Sequence, residues 1–275
     1  MKSAVILLLL AVAGSAQTLE QRVKPYLDRA LAGGAAFVAV SAASGAPAVA
    51  ADSLVSLFGP NLASQAMGAV PPYPTTLGGI GVQVVDSTGK SAAAQILYVS
   101  AGQVNILMPA GTAAGTATIN IINGTGTVPS GTAQVEAAAP ALFTANANGQ
   151  GVVAATAYRT VLPSTLSGPV PVFACGTSAA SCVSVPIDPG VDAPVTVTLY
   201  ATGVRGRSAL ADVSLSIGGM SVPIQAITSF NDTDPLAGVD EVIFRLPLSL
   251  HGAGEVAVVL TVDGTASNAA RINVQ

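Results

Sequence analysis

The sequence predicts an all-β protein built as two tandem β-sandwich domains, and three observations carry that prediction. Short alternating apolar and polar runs recur along the chain, turn signals separate them every 8–14 residues, and the pattern of one half returns in the other. Composition agrees with this. The 29 Gly and 18 Pro of the 275 residues fall at intervals instead of in tracts, which fits many short strands and turns better than disorder or a collagen-like repeat. Hydrophobic residues make up 51% of the chain and charged residues only 9%. Much of that apolar share is alanine, however, and past residue 16 no run approaches the roughly 20 apolar residues of a membrane-spanning helix. The mature chain therefore has no predicted membrane span.

The N-terminus has the three parts of a secretory signal peptide. Lys2 is the charged region, Ala4 to Ala13 the apolar run, and Gly14-Ser15-Ala16 supplies small residues for cleavage after residue 16. A retained membrane anchor is the competing reading, and the run is short for one. Cleavage removes Lys2 and makes the formal net charge one unit more negative than −4. With only three lysines and no basic patch, the chain is not predicted to bind nucleic acid. Export leads either to the extracellular space or to the cell envelope, the periplasm included.

Residues 17–49 read as an N-terminal spacer. Thr18 as N-cap and Leu19, Val23, Leu27 and Leu31 about four apart predict a short amphipathic helix over 18–31, with Pro25 inside it. The β pattern follows. In the first domain, 50–136, strands are expected near 53–58, 80–85, 93–99, 103–108, 115–122 and 131–136. In the second, 190–275, they are expected near 194–200, 212–217, 220–227, 241–246, 255–262 and 269–274. Gln103-Val104-Asn105-Ile106-Leu107-Met108-Pro109 matches Glu241-Val242-Ile243-Phe244-Arg245-Leu246-Pro247, each an alternating strand stopped by proline. Leu54 to Gly59 matches Val195 to Ala201 upstream of it. Gly218-Gly219 and Asp263-Gly264 are two-residue hairpin turns. Six or seven short strands in about 85 residues is the immunoglobulin-like pattern, without its buried Trp or intersheet disulfide.

Between the domains, 137–189 reads as a connector with a disulfide loop. Cys175 and Cys182 are the only cysteines, and the Gly and Ser between them permit the turn that brings them together. A structural disulfide is expected here. A redox role lacks the Cys-x-x-Cys helix start, and a zinc site lacks histidines.

Three stretches of the chain together resemble one known family. They are Ser53 to Leu62, Pro74 to Ile80 and Leu97 to Asn105. The second half has counterparts in Leu199 to Gly206, Gly238 to Val242 and Leu260 to Asn268. The resemblance is to the Solibacter-type uncharacterised C-terminal domain family, a secreted immunoglobulin-like module of acidobacteria, and covers about residues 38–275. It implies no known reaction or ligand. Members often carry the module after larger N-terminal regions, whereas some twenty residues precede it here. A passenger domain supplied by another chain is an open alternative.

No catalytic constellation is predicted. His251 is the only histidine and is expected to be a solvated loop residue. Glycine-rich stretches lack the setting of a phosphate cradle, so no cofactor is expected. Asn231, Asp232, Asp234, Asp240 and Glu241 put oxygen ligands within eleven residues, but not in the spacing of a calcium loop. A solvated turn is expected there, with calcium as the alternative. Ser100, Gln103 and Asn105 are expected to bond neighbouring backbone, and Arg205 and Arg207 to keep a loop end solvated. Asn123 and Asn231 begin Asn-x-Thr sequons.

The function expected is a secreted, non-catalytic module for surface, adhesive or structural interaction, its partner an unidentified protein or polysaccharide at the cell surface. Loops and strand edges, above all 137–189, would supply the contacts. A carbohydrate or envelope-polysaccharide binding module is the alternative, which requires Tyr73, Tyr158 and Tyr200 to lie exposed on one face. A secreted hydrolase is the remote third reading.

Overall fold

The computed structural model describes residues 16–275 apart from 125–128, 161–166, 178–180 and Asp232. The predicted signal peptide falls almost wholly outside the described residues. Among the described residues the chain is mostly strand with one α-helix, an all-β sandwich architecture as predicted. All twelve predicted strands are present, with two divisions. Residues 93–99 split at Ala94: Ser91–Ala93 pairs with Ile80–Val85 in one sheet, and Gln95–Val99 crosses to pair with Gln103–Leu107 in the other. Pro223, which has no N–H to give a ladder, separates Met220–Val222 from Ile224–Ser229.

Two pairs of sheets enclose two apolar cores. In the first pair, one sheet orders Val38–Ser41, Leu54–Phe58, Gln103–Leu107, Gln95–Val99 and Met67–Gly68. The facing sheet orders Ala48–Ala50, Ser130–Glu136, Gly115–Asn123, Ile80–Val85 and Thr76–Leu77. Val55, Leu57, Val104 and Ile106 pack across the gap on Val82, Val84, Ile119 and Ile121, all at most 2% exposed. In the second pair, the sheet containing Val195–Thr202 and Asp240–Arg245 faces the sheet of Val213–Ile217, Gly254–Val262 and Ala270–Val274. Phe244 is its largest fully buried side chain. The central pairings correspond: Leu54–Phe58 lies antiparallel to Gln103–Leu107, and Val195–Thr202 to Asp240–Arg245. Both predicted two-residue turns have the left-handed backbone that a tight hairpin needs, with φ of 59° and 82° at Gly218 and Gly219, and 48° and 81° at Asp263 and Gly264.

The segment read as a connector, 137–189, is woven into the second sheet pair. Ala155–Thr160 pairs with Val195–Thr202, and Ser167–Val170 extends that sheet beyond it. Val152 and Ile187 make parallel bridges to the C-terminal strand Ala270–Val274. A two-stranded ribbon, Phe173–Ala174 with Val183–Ser184, holds the disulfide loop. In the same way 17–49 holds more than a helix: Val38–Ser41 and Ala48–Ala50 each edge a sheet of the first sandwich. Alanine-rich strands of two to six residues do not display the alternation that marks longer ones.

The helix runs Ala16–Ala32, so Thr18 lies within it and does not cap it. Its stripe docks only at its start. Leu19 and Val23 are buried on Val40 and Phe58, whereas Tyr26 and Leu31 are 47% and 38% exposed. No described helix is long and apolar enough to cross a membrane.

Candidate interaction site at the junction of the sandwiches

The two sandwiches meet through a third apolar cluster that belongs to both. Ala42, Ala43, Leu54 and Leu107 from the first pack with Phe143, Ala154, Tyr200, Leu236 and Val239 from the second. Leu54 and Leu107 are cross-strand partners on the outer face of their sheet, and they are only 3% and 4% exposed because the second sandwich covers them. Polar contacts reinforce the seam. The Leu54 N–H donates to Thr202 Oγ1 at 3.0 Å, and that hydroxyl donates to the Gly238 carbonyl at 2.7 Å. Tyr73 reaches across to donate its hydroxyl to the Pro235 carbonyl at 2.9 Å. Gly238, at φ 82°, is a required glycine: a Cβ there would stand 2.7 Å from Leu107 Cδ1 and 2.8 Å from Leu54 Cγ.

The three tyrosines form no exposed platform. Tyr200 is 7% exposed with its hydroxyl 3.3 Å from Thr156 Oγ1, and Tyr73 and Tyr158 are half-buried. Burial is the main cause that pushes the Tyr73 hydroxyl above its usual pKa, with Asp234 adding to it. Burial raises Tyr200 as well, opposed by the Thr156 hydrogen bond and helped by the charge of Glu241.

The acidic stretch is not one site. Asp240 is fully buried and turned inward: its carboxylate accepts from Arg205 Nε at 2.9 Å, Ser229 Oγ at 2.6 Å and the Val204 N–H at 3.1 Å. Arg205 also donates to the carbonyls of Phe230 and Val239. Its predicted role at a solvated loop end is thus corrected: it neutralises a buried carboxylate, which a lone buried charge requires. Asp234 and Asn231 each accept a backbone N–H two residues on, as turn residues do. Glu241 accepts from Thr228. Asp232 lies outside the described residues.

The other candidates have local roles. Ser100 Oγ accepts the Gln103 N–H, and Gln103 Nε2 and Ser56 Oγ both donate to Asn105 Oδ1, a buried network within one sheet. His251 is exposed. Cys175 and Cys182 are joined by the expected disulfide, and Cys182 is buried on Ala145, Val152 and Phe173. Sequence reading missed Asn268, whose amide bonds both the N–H and the carbonyl of Leu142 and also the Gly149 carbonyl. It also missed Asp86, a turn carboxylate held down to about pKa 2 by the Thr88 hydroxyl and by the N–H groups of Ala113, Thr88 and Lys90.

One cleft opens where the helix meets both sandwiches. Its volume is about 300 Å³, and its walls are the 44–48 hairpin, Ala139 and Pro140, the 265–268 turn, and Arg22 and Tyr26 of the helix. Arg22 Nη1 donates to the Ser44 carbonyl of one sandwich at 3.1 Å and to the Asn148 carbonyl of the other.

No family model and no curated protein matches this chain. Among solved structures it is similar to a Bacteroides ovatus surface protein of the mixed-linkage glucan utilization locus, solved with a mixed-linkage heptasaccharide. Identity is 11%, with 83% of this chain and 43% of that one covered, at a TM-score of 0.34. Murine CEACAM1b is 14% identical over 83% of this chain and 96% of its own, at a TM-score of 0.18. Domains 5–6 of the S-layer protein SbsC are 13% identical over 86% and 95%, at a TM-score of 0.25. The chain spans less than half the length of the Bacteroides protein.

Proposed function

We propose that this chain is a secreted, non-catalytic module, two copies of one immunoglobulin-like unit, that binds a protein or polysaccharide at the surface of the producing cell. The observation that carries this is the junction. A shared apolar cluster and crossing hydrogen bonds fix the two sandwiches to each other, so that their loops and the cleft beside them form one preorganised surface. The disulfide and the signal-peptide pattern support export, and the resemblance to the Solibacter-type family agrees with it.

The test is cosedimentation of residues 17–275 with an envelope fraction of the producing organism, with calcium and with a chelator. Saturable retention displaced by unlabelled protein is the expected result. No retention in either condition, or release of soluble sugar or peptide from the envelope, would overturn the proposal.

A further inference from the structure

The cleft at the junction has one charge in its wall, and that charge is positive. Arg22 lines it, no carboxylate does, and among the described residues no Asp or Glu lies within ion-pair distance of Arg22. Its guanidinium is held by one nitrogen, Nη1, on two main-chain carbonyls. Those bonds orient the group without neutralising it, and a planar guanidinium fork matches a carboxylate. A phosphate carries a larger charge, and the described walls offer one cation and no second to meet it.

The remaining walls fit a sugar ring. Tyr26, with about half its surface exposed, offers a ring face beside a hydroxyl. Thr265 adds a second hydroxyl, and Pro47 and Pro140 add small apolar surface suited to the C–H face of a pyranose. The described walls mix small apolar residues with hydroxyl and amide groups, and Tyr26 is the one aromatic side chain among them. The volume stands at the small end of ligand-sized sites, ~300–1,000 Å³.

We infer that this cleft binds a uronic acid residue, with Arg22 on the carboxylate and Tyr26 against the ring. The inference rests on the surface-module reading above and gives it a ligand class and a position.

Calorimetric titration of residues 17–275 with D-glucuronate and an oligogalacturonate tests it, with D-glucose and acetate as controls. Both uronates should bind, and glucose and acetate should each bind about tenfold more weakly, because each keeps only half of the matching chemistry. Arg22→Gln and Tyr26→Ala should each weaken uronate binding about tenfold. Tyr26 is exposed, so its variant reports on the cleft even if Arg22→Gln loosens the helix. Absence of uronate binding, acetate binding equal to glucuronate, or undiminished binding by the folded Tyr26→Ala protein would each overturn the inference. Envelope retention without uronate binding would sink this inference alone. Uronate binding without envelope retention would sink the surface-module proposal alone.

Discussion

The two sheets of the first sandwich are alike inside and opposite outside. Along Ser130–Glu136 burial alternates strictly, with Gly131, Ala133 and Val135 inward and Ser130, Thr132, Gln134 and Glu136 in solvent. Along Leu54–Phe58 and Gln103–Leu107 every residue is buried. The difference lies in what covers the outer face. The helix sits over Phe58, the second sandwich sits over Leu54 and Leu107, and the polar Ser56 and Asn105 between them bond each other. A strand that breaks alternation with apolar residues on both faces therefore signals a second covering layer, here the neighbouring sandwich.

That contrast can be broken by mutation. Leu54→Ala, on the outer face, should cost about 2–5 kcal/mol, as much as Leu57→Ala on the inner face, because both leave a cavity in packed surroundings. Urea denaturation of the two variants reads this directly, and a cost for Leu54→Ala like that of a surface residue would show the junction to be loose. Asp240→Asn should cost about 3 kcal/mol by leaving the partly buried Arg205 without its counter-charge, measured in the same way. Gly238→Ala, which forces a Cβ against Leu54 and Leu107 at positive φ, should cost about 1–3 kcal/mol. Its unfolding should separate into two transitions as the sandwiches uncouple.

The acid limb sharpens the comparison from the first sandwich alone. The Asp86 carboxylate is stabilised in its charged form, so its contribution is complete above its ordinary pKa near 4 and is lost as pH falls through about 2. Asp86→Asn should flatten the decline in melting temperature between those values and leave the neutral-pH slope unchanged. The smallest effect is expected on the bare face, where Thr132→Ala should stay within about 0.5 kcal/mol.

The longer strands were legible because their alternation is long enough to count, as in Gly254–Val262, and their hairpin turns because Gly218-Gly219 and Asp263-Gly264 tolerate positive φ. Ala141–Leu142, Ala155–Thr160 and Val38–Ser41 were not, since small residues over a few positions do not display a period. Of the junction, the apolar residues could be read but not their partners. Nothing local to Leu54 announces Thr202, 148 residues away. Arg205 and Asp240 were each noticed separately, and their pairing depends on a fold that sets positions 35 apart side by side. Nothing in the sequence around Arg22 sets it apart from the other charges of that amphipathic helix.

The central claim is that the sandwiches form one packed unit, and the Leu54 amide tests it most directly. Its hydrogen bond is made to the other sandwich, through Thr202 Oγ1. Hydrogen exchange followed by NMR should show it protected to the same degree as the amides of Val55 and Leu57, with protection falling selectively in Thr202→Val. Exchange of Leu54 at the rate of an exposed strand end, with its neighbours still protected, would mean that the two sandwiches move independently and that the junction is not a preorganised surface.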